Sequence, residues 1–535
     1  MFERSPRGWM IVLLAFALWG GEHLRRGLWE PDEARYAYVA REMHEDGRWF
    51  VPHLHGEPYP DKPPLPFWLI NAAAALNAGR ITGTTARMPT FIASVLVLWV
   101  TARLLERWAG PDAAWRGVGV LLTTYLFWHE GGWGRLDLLV LAFEMLALYH
   151  LFRYDDTSHP GRLVAAYACI GLGLLTKGPV AWAVPVGIYV ASSVATGQAH
   201  RLRRWHWLWG TALAASLPGC WLAAAWWQGA GPEYFLALFG EKSFGRVLQD
   251  HHGQPVYYYL TTVPLDLLPW TLFLPPAALA VGPGELRRRL LAWIGCILAL
   301  FSLFAGKRGV YVLPLFPAAA MLIAAGWSEL ASRSSPWPRR LGWAAVGFLL
   351  LLAVTEGTLA VLPALPIPRW PLVATAVWCG GAGLVLAHRT RLGGMRASWL
   401  VTWTSALFVH AALVGAFVWP EFNACKAPVA VAVRAGELLP PGAAVHLYRE
   451  QLAIVPLYAE RPGRRLPDPA AWTQLRETGK AALVVLTESD WNALDPTARA
   501  DLEWHSFRMG SKHLGWVEFP AQRTQFATAV PPRAH

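Results

Sequence analysis

Long apolar stretches alternate with short polar connections along most of the chain. A helix needs about 20 apolar residues to cross a bilayer, and the stretches between residues 9 and 419 predict roughly thirteen such helices. The predicted positions are 9–24, 86–104, 114–129, 136–152, 163–176, 179–195, 205–226, 258–280, 288–304, 310–326, 341–362, 371–387 and 398–419. The pattern therefore predicts a polytopic α-helical membrane protein.

The pattern changes after residue 420, where the apolar runs become short. Runs at 443–448, 481–487 and 514–519 predict strands, and residues 469–477 predict a helix. We expect a small soluble α/β domain over 421–535, beside a membrane domain over 1–420. The tail has no Gly-rich phosphate loop and no hydrolase or zinc-protease motif, which favours a supporting or acceptor-guiding role.

Composition agrees with a membrane protein. Of the 535 residues, 54% are hydrophobic, only 16% are charged and 31 are Trp, which is too apolar to cover a water-soluble globule. The formal charge of +11 does not indicate a nucleic-acid partner, because Lys and Arg are scattered between apolar stretches rather than gathered in one stripe. The five cysteines are odd in number and lack CxxC spacing, so the spacing indicates neither a disulfide framework nor a cysteine metal site.

Basic residues in the connections predict the orientation. Arginines concentrate in alternate short connections, namely at 4, 7, 103, 107, 116, 153, 162, 201, 203, 204, 287–289, 333, 339, 340, 389, 391 and 396. By the positive-inside rule these connections are cytoplasmic, together with the N-terminus. The long loop 25–85, the loop 227–258 and the tail then lie on the outer side of the membrane. The first apolar stretch resembles a signal peptide, but Gly20-Gly21-Glu22 is a poor cleavage site, so we expect a retained anchor helix.

The first long loop carries acids and bases directly after the first apolar stretch. Pro31 fits the first position of a helix that would continue through Asp32, Glu33 and Arg35. This makes the two acids candidates for catalysis and substrate binding. The alternative is an amphipathic interfacial helix whose acids are only solvated.

A second polar cluster follows about 30 residues later. Prolines surround Tyr59, Asp61 and Lys62 in the run 58–64, and they would hold an acid–base pair in one direction. The alternative is a proline-rich turn that only returns the chain to the membrane.

Further ionisable residues recur at the predicted outer helix ends. They are Arg135, Asp137, Lys177, Lys307, Arg308 with Tyr311 nearby, and Arg246, Asp250, His251 and His252 in the loop 241–259. Such residues are costly in a membrane unless they pair or face a polar cavity, so together they indicate a cationic pocket for a phosphate. For any one of them, snorkelling to the interface is the alternative. His251 and His252 are adjacent rather than one helical turn apart, so alone they are a weak metal signal.

Several motifs, in order, resemble the bacterial aminoarabinose transferase family, which belongs with the protein O-mannosyltransferases in the GT-C class. They are WEPDEARYA at 29–37, YPDKPPLPFW at 59–68, RLD at 135–137, LTKGP at 175–179, HGQP at 252–255, LPW at 268–270 and KRGVYVLP at 307–314. The tail is similar only in size and position.

The resemblance implies transfer of a sugar, with inversion, from a polyprenyl (undecaprenyl) phosphate donor to lipid A or a related acceptor on the periplasmic face of the bacterial inner membrane. It implies that Asp32 is the catalytic carboxylate and Asp137 a second acid of the cavity. Tyr59, Lys62, Arg246 and Tyr311 match positions that contact the lipid phosphate. A zinc or other divalent metal site would use Asp61 and His252, although Asp61 stands where the family has the longer glutamate.

Two features of the chain agree with this resemblance. A transferase outside the cytoplasm lacks nucleotide sugars, so the absence of a nucleotide-binding motif fits a lipid-carried donor. Glu33, Arg35, Arg135, Lys307 and Arg308 would complete the substrate-binding set around the matched residues.

Three alternatives stay open. The first keeps the chemistry but transfers the sugar to a protein hydroxyl or another glycolipid. A lipid or sugar transporter would show repeat symmetry and ionisable residues near span centres, whereas no internal repeat is evident and the motif residues gather at one predicted face. The third alternative is a structural scaffold, which would not explain why the lysines of the membrane region all fall on the predicted outer side.

Overall fold

The computed structural model describes residues 7–203, 206–244, 254–333, 336–363, 365, 367–393, 395, 397–450 and 452–519. The chain divides into two compact units. The first comprises Met1–Gly27, Val39–His53 and Pro58–Asn423, and the second comprises Leu28–Tyr38, Leu54–Glu57 and Ala424–His535. Part of the first long loop thus belongs with the tail.

Helices dominate the chain as far as residue 423. They are α1 (Gly8–Arg25), α2 (Asp32–Asp46), α3 (Leu65–Ala75), α4 (Gly83–Ala109), α5 (Pro111–Leu122), α6 (Tyr125–Gly131), α7 (Leu136–Thr157), α8 (Pro160–Lys177), α9 (Val180–Ala195), α10 (His206–Trp227), α11 (Pro232–Leu236), α12 (Tyr258–Asp266), α13 (Leu274–Ala280), α14 (Glu285–Ser302), α15 (Leu315–Ser332), α16 (Trp337–Val361), α17 (Arg369–Gly393) and α18 (Ala397–Leu413). Short 3-10 or π segments cover Ala199–Arg203, Ala237–Phe244, Gly309–Val312, Val414–Val418 and Trp419–Phe422. Two short strands, β1 (His53–Leu54) and β2 (Glu57–Pro58), lie in the first long loop.

Six stretches of the described helices are long and apolar enough to cross a membrane. They are Gly83–Ala109, His206–Trp227, Leu315–Ser332, Trp337–Val361, Arg369–Leu392 and Ser398–Phe422. The polytopic helical class is therefore confirmed, whereas the number thirteen stays a prediction. One predicted stretch, 258–280, is divided into α12 and α13: Pro269 lies in the break, where it cannot donate the backbone hydrogen bond of a continuous helix, and Pro275 and Pro276 lie in the first turn of α13.

Tryptophans fill much of the core of the first unit. Trp327 and Trp399 stack with ring centroids 5.9 Å apart, and both rings are almost fully buried. A buried indole N–H needs an acceptor, and Trp399 finds one in the Thr390 hydroxyl at 2.9 Å. Trp270 likewise donates to the hydroxyl of Thr123 at 3.1 Å. These two pairs satisfy the N–H groups of Trp399 and Trp270, whereas the buried N–H of Trp327 has no hydrogen-bond partner among the described residues.

The second unit contains a five-stranded mixed sheet and short helices. Its strands are β3 (Val445–Tyr448), β4 (Gly463–Leu466), β5 (Ala482–Thr487), β6 (His505–Met509) and β7 (Lys512–Phe519), in the order β4-β3-β5-β7-β6. The first three strands are parallel, and β7 is antiparallel to β5 and β6. The helices of the tail are α19 (Asn423–Lys426), α20 (Val429–Leu438), α21 (Ile454–Tyr458), α22 (Pro469–Glu477), α23 (Glu488–Ala493) and α24 (Pro496–Arg499).

The predicted α/β character of the tail is confirmed. Strands β3, β5 and β7 overlap the three predicted apolar runs to within two residues at each end, and α22 coincides with the predicted helix. The Asp468 side chain caps α22 by accepting from the Ala471 N–H at 2.9 Å, and Pro469 provides a first residue that needs no hydrogen-bond acceptor. Strands β4 and β6 were not predicted, because both are short and polar.

Candidate active site

Three candidate side chains of the first unit meet where helices begin and end. Asp137 lies in the first turn of α7, and Lys177 is the last residue of α8. The Lys177 ammonium is 2.5 Å from the Asp137 carboxylate and lies 4.8 Å from the centroid of the Tyr311 ring. The side chains of Lys177 and Asp137 are 21% and 15% exposed, so the pair is largely shielded from water. The structure thus joins three sequence motifs through one lysine.

A buried carboxylate accompanies this group. Glu144 lies two turns further along α7, is almost fully buried and interacts electrostatically with Lys177. The sequence pattern did not single it out, since Glu144 stands alone inside an apolar stretch. A sequence search for acids at seven-residue spacing from Asp137 could have found it, because residues seven apart share a helix face.

Arg135 precedes α7 and is held by its own neighbours. Its guanidinium is 2.9 Å from the carboxylate of Glu130 and stacks 4.5 Å from the centroid of a Trp133 ring. Glu130 also lies 3.2 Å from His129 and is almost fully buried. Part of the charge of Arg135 is therefore neutralised within the first unit, which leaves less of it to attract a substrate phosphate.

The KRG segment is fixed by backbone contacts. The Lys307 ammonium is buried and donates to the carbonyls of Gln254 and Phe304 at 3.0 and 2.6 Å. Tyr259 donates to the carbonyl of Arg308 at 3.2 Å. Gly309 permits a close approach to α12, because a Cβ there would lie 3.1 Å from a carboxylate oxygen of Asp266. Lys307 thus positions the turn and adds a positive charge, while the Arg308 side chain is exposed.

Tyr59, Asp61 and Lys62 lie between β2 and α3 in the first unit. Tyr59 is buried, its N–H donates to the Pro52 carbonyl at 2.8 Å, and its ring packs against Phe67 with centroids 6.4 Å apart. Asp61 and Lys62 are half-buried. The prolines that follow lead directly into α3, which has a proline in its first turn. The turn is therefore anchored at both ends, as its proline content predicts.

Asp32, Glu33 and Arg35 belong to the second unit, at the start of α2. The helix predicted after Pro31 is confirmed. Glu33 is 1% exposed and accepts a hydrogen bond from the Trp29 N–H at 3.2 Å, so its carboxylate helps to close the turn that leads into α2. Asp32 is half-buried at the same helix N-terminus, where a carboxylate is electrostatically favoured.

The segment before Asp32 is tied to the tail within the second unit. A carboxylate oxygen of Glu30 accepts from the backbone N–H groups of Ala453 and Ile454 at 2.7 and 2.8 Å, at the start of α21. The N–H of Leu28 donates to the Tyr458 hydroxyl at 2.9 Å. Burial raises the pKa of Glu30 to about 7, against the opposing effect of the two N–H groups and of Arg35. The sequence pattern assigned no role to Glu30, because its partners lie more than four hundred residues later.

A second anchor uses Tyr38, later in α2. Its hydroxyl accepts from the Gly463 N–H at 2.6 Å, and its ring lies 4.9 Å from that of His55. Gly463 opens β4, and a Cβ there would lie 2.4 Å from His55, so a larger residue would force these rings apart. The helix that carries Asp32 is thus built against the sheet of its own unit.

Arg246 and His252 lie outside the described residues. The metal site that the resemblance implies therefore has one described member, Asp61. Within the described ranges, one group of metal-ligating side chains converges, formed by Glu356, Cys379 and His410. It lies on three other helices of the first unit.

Comparisons with known proteins give a consistent result. Residues 61–224 match the family described as dolichyl-phosphate-mannose-protein mannosyltransferase. Two relatives named undecaprenyl phosphate-alpha-4-amino-4-deoxy-L-arabinose arabinosyl transferase are similar over longer regions. That of Edwardsiella ictaluri is 28% identical over 444 residues, which is 77% of each chain. That of Pseudomonas fluorescens is 32% identical over 370 residues, which is 66% of this chain and 64% of the relative.

A solved structure has the same fold. The crystal structure of ArnT from Cupriavidus metallidurans bound to undecaprenyl phosphate matches with a TM-score of 0.78 and 22% identity, over 98% of this chain and 99% of the other. The match extends through both compact units.

Proposed function

We propose that this chain, a member of the aminoarabinose transferase-like family of GT-C membrane glycosyltransferases, moves 4-amino-4-deoxy-L-arabinose from undecaprenyl phosphate to lipid A or a related acceptor. The activity named for the Edwardsiella relative, which is similar over 77% of each chain, supports the donor and the sugar. Within the structure, the meeting of Asp137, Lys177 and Tyr311 carries the proposal, since it gathers an acid, a cation and a phenol.

The protein belongs to the bacterial inner membrane. We propose that its N-terminus faces the cytoplasm and that residues 421–535 form a periplasmic domain, beside a membrane domain over 1–420. The arginine-rich alternate connections support this orientation.

The reaction we infer is a single displacement. An acceptor oxygen attacks the anomeric carbon of the sugar while the bond from that carbon to the lipid phosphate oxygen breaks, so negative charge grows on the departing undecaprenyl phosphate. Asp32 accepts the proton of an attacking hydroxyl, or orients an acceptor phosphate that needs no deprotonation. Lys62, Arg246 and Lys307 stabilise the phosphate charge in a water-poor cavity, where fixed charges act strongly.

The pair formed by Lys177 and Asp137 assists the phosphate-binding cations indirectly. Because the ammonium is paired with Asp137, its contribution to a substrate phosphate is partly cancelled. We infer that Lys177 chiefly positions the Tyr311 ring, whose hydroxyl then meets the lipid phosphate. Tyr59 would contact the same phosphate from its anchored turn, and Arg35, Arg135 and Arg308 would complete the substrate surroundings. Glu33, expected from the sequence to bind substrate, is instead buried against the Trp29 N–H, so it supports the helix that carries Asp32.

A divalent metal is part of the proposal only through Asp61 and His252. Carboxylate and imidazole are ligands that zinc accepts, and a bound ion would polarise a phosphate oxygen. Asp61 is half-buried on an anchored turn, which suits a ligand. The reaction described above uses only the side chains of the chain.

Lipid A is tested as acceptor by mass spectrometry of lipid A from cells with and without this protein. The expected result is a mass increment of one aminoarabinose that depends on the protein. The mannosyltransferase description of the family matched by residues 61–224 favours a second candidate, a protein hydroxyl acceptor. Unchanged lipid A together with a missing protein glycan would establish that second candidate instead.

Lys62→Gln is expected to lower the rate of transfer by roughly 100-fold, because one charge that stabilises the leaving phosphate is lost. The measurement is transfer from purified undecaprenyl-phosphate sugar in membranes. The matched control is Lys480→Gln in the second unit, an exposed lysine outside the proposed site, which should retain the parental rate. A Lys62→Gln protein with parental transfer would remove Lys62 from the proposed phosphate site.

Glu30→Gln is expected to flatten the pH dependence of stability of the second unit. Since burial raises the pKa of Glu30 from 4.5 to about 7, the folded state favours the protonated carboxyl. Below pH 4.5 the carboxyl is protonated in both the folded and the unfolded state, so it does not change the free energy of unfolding. As the pH rises from 4.5 through about 7, the unfolded state loses this proton more readily than the folded state, so the free energy of unfolding of the parent falls over that window. Limited proteolysis of the tail in the full-length protein, between pH 5 and 8, measures this loss.

The control for this experiment is the exposed Glu477→Gln on α22. It should keep the parental pH profile. A Glu30→Gln protein whose tail is cleaved with the same pH dependence as the parent would show that Glu30 is not the titrating group.

A further inference from the structure

Three neighbouring apolar helices each carry one residue of metal-binding type. Glu356 lies on α16, Cys379 on α17 and His410 on α18. All three residues fall within stretches long and apolar enough to cross a membrane. An ionisable side chain in such a stretch is costly unless it is paired, and therefore marks a functional position. None of the three belongs to the motifs that define the proposed active site.

The three side chains converge. Cys379 Sγ is 3.3 Å from His410 Nδ1, and His410 Nε2 is 3.5 Å from Glu356 Oε1. One ligand atom from each residue can be chosen so that all three lie within 4.8 Å of one another. Cys379 is fully buried, and Glu356 is only 9% exposed.

Hydrogen bonding explains only part of this arrangement. A thiol that donates to His410 Nδ1, and an Nε2–H that donates to Glu356 Oε1, would account for the two short contacts. The other carboxylate oxygen, Glu356 Oε2, is buried and lacks a hydrogen bond of good geometry among the described residues: the nearby Thr375 hydroxyl interacts with the carboxyl but donates to the backbone carbonyls of Pro371 and Leu372. A buried oxygen without a partner costs about 1–3 kcal/mol, or more when it is charged. A bound cation would satisfy that oxygen.

We propose that Glu356, Cys379 and His410 bind a divalent transition-metal ion of the zinc type. Thiolate, imidazole and carboxylate are the three protein ligands that zinc uses. Zinc ligands at 2.0–2.3 Å in a tetrahedron lie roughly 3.3–3.6 Å from one another, which is close to the 3.3 Å between Cys379 Sγ and His410 Nδ1. His410 would bind through this one nitrogen, and a rotation of the Glu356 side chain would bring its carboxylate to the same ion, since one ligand atom of each residue already lies within 4.8 Å of the others.

Charge favours the ion in this environment. Binding releases the thiol proton, so a dication meets one thiolate, one carboxylate and a neutral imidazole, and the net charge is zero. A neutral site avoids the high cost of isolated charge in a low-dielectric interior. The fourth coordination position remains for a water oxygen, and the ion links α16, α17 and α18 to one another.

A thiolate ligand makes the site distinguishable from the one that would use Asp61 and His252, which contains no sulfur. The test uses purified full-length protein in detergent, stripped with a chelator and titrated with Co²⁺, which replaces zinc and gives a thiolate-to-cobalt absorption band. We expect the band in the parent and its loss in Cys379→Ser and in His410→Gln. Cys296→Ser on α14 and Asp61→Asn are the matched controls, and both should keep the band.

A second measurement does not depend on how the variants fold. In the parent, Zn²⁺ is expected to slow the alkylation of Cys379 by roughly 10-fold or more, since a metal-bound thiolate is withdrawn from reaction. Mass spectrometry of the alkylated peptides separates Cys379 from the other four cysteines. Absence of the band together with unchanged alkylation of Cys379 would overturn the proposal and leave a hydrogen-bonded chain. Neither measurement requires transfer activity, so a negative result would overturn the metal site and leave the proposed function untouched.

Discussion

Asp32→Asn is expected to lower sugar transfer by about 1,000-fold, within the range that positioned general bases contribute. The amide has nearly the same shape as the carboxylate but neither accepts a proton nor carries charge toward the acceptor. Transfer is measured with purified undecaprenyl-phosphate sugar and lipid A. The loss should appear in the turnover rate with the folded state unchanged, because Asp32 is half-buried at a helix N-terminus whose electrostatic contribution is only about 0.3–1 kcal/mol.

Asp46→Asn at the other end of α2 is the matched control. Asp46 is exposed, and its substitution is the same acid-to-amide change on the same helix, so the Asp46→Asn protein should retain the parental rate of transfer. If Asp32→Asn transfers sugar as fast as Asp46→Asn, the catalytic role of Asp32 is wrong.

Lys177→Met is expected to lower both stability and transfer. Removal of the ammonium leaves Asp137 largely buried without its cation, which costs about 3 kcal/mol when a shielded pair is broken. It also removes the cation that faces the Tyr311 ring, so we expect transfer to fall by about 100-fold. Thermal unfolding in detergent and the transfer assay measure the two effects separately.

The double variant Lys177→Met/Asp137→Asn separates structure from function. Because neither charge is then left alone, much of the lost stability should return, and the two single effects should not add. Transfer should stay low. Arg103→Gln, which removes one partner of a more exposed pair with Glu106, is the control and should change stability by less than about 1 kcal/mol. Full transfer by the double variant would reduce the pair to a structural role.

The first loop shows what could be predicted from the sequence. Proline positions and polar spacing are local signals, so the helix after Pro31 and the anchored turn around Tyr59 could both be anticipated. The role of Glu33 in closing the turn before α2 could not, because a carboxylate in a loop motif gives no sign of whether it faces the backbone or a substrate.

Contacts between distant helices were beyond the sequence pattern. For Lys177 alone, snorkelling to the interface was the favoured interpretation, and only the fold shows that its ammonium meets Asp137 and faces Tyr311. The convergence of Glu356, Cys379 and His410 was hidden for the same reason. Each stands alone in its own apolar stretch, whereas recognisable metal motifs place their ligands a few residues apart.

The tail illustrates a different limit. Strands β3, β5 and β7 are apolar and were visible, while β4 contains two arginines among its four residues and was not. Its position is determined by pairing with β3, in which Val445 lies opposite Gly463. Edge strands of this kind depend on their neighbours more than on their own composition.

The bonds between Glu30 and α21 have a consequence for biosynthesis. Ala453 and Ile454 follow Glu30 by 423 and 424 positions, so the segment that precedes Asp32 leaves the ribosome long before these two residues are synthesised. At translation speeds of about 5–20 residues per second, the delay is roughly 20–85 s. During that interval the nascent loop lacks these two hydrogen-bond donors. The surroundings of Asp32 are therefore completed only when the last fifth of the polypeptide is being synthesised.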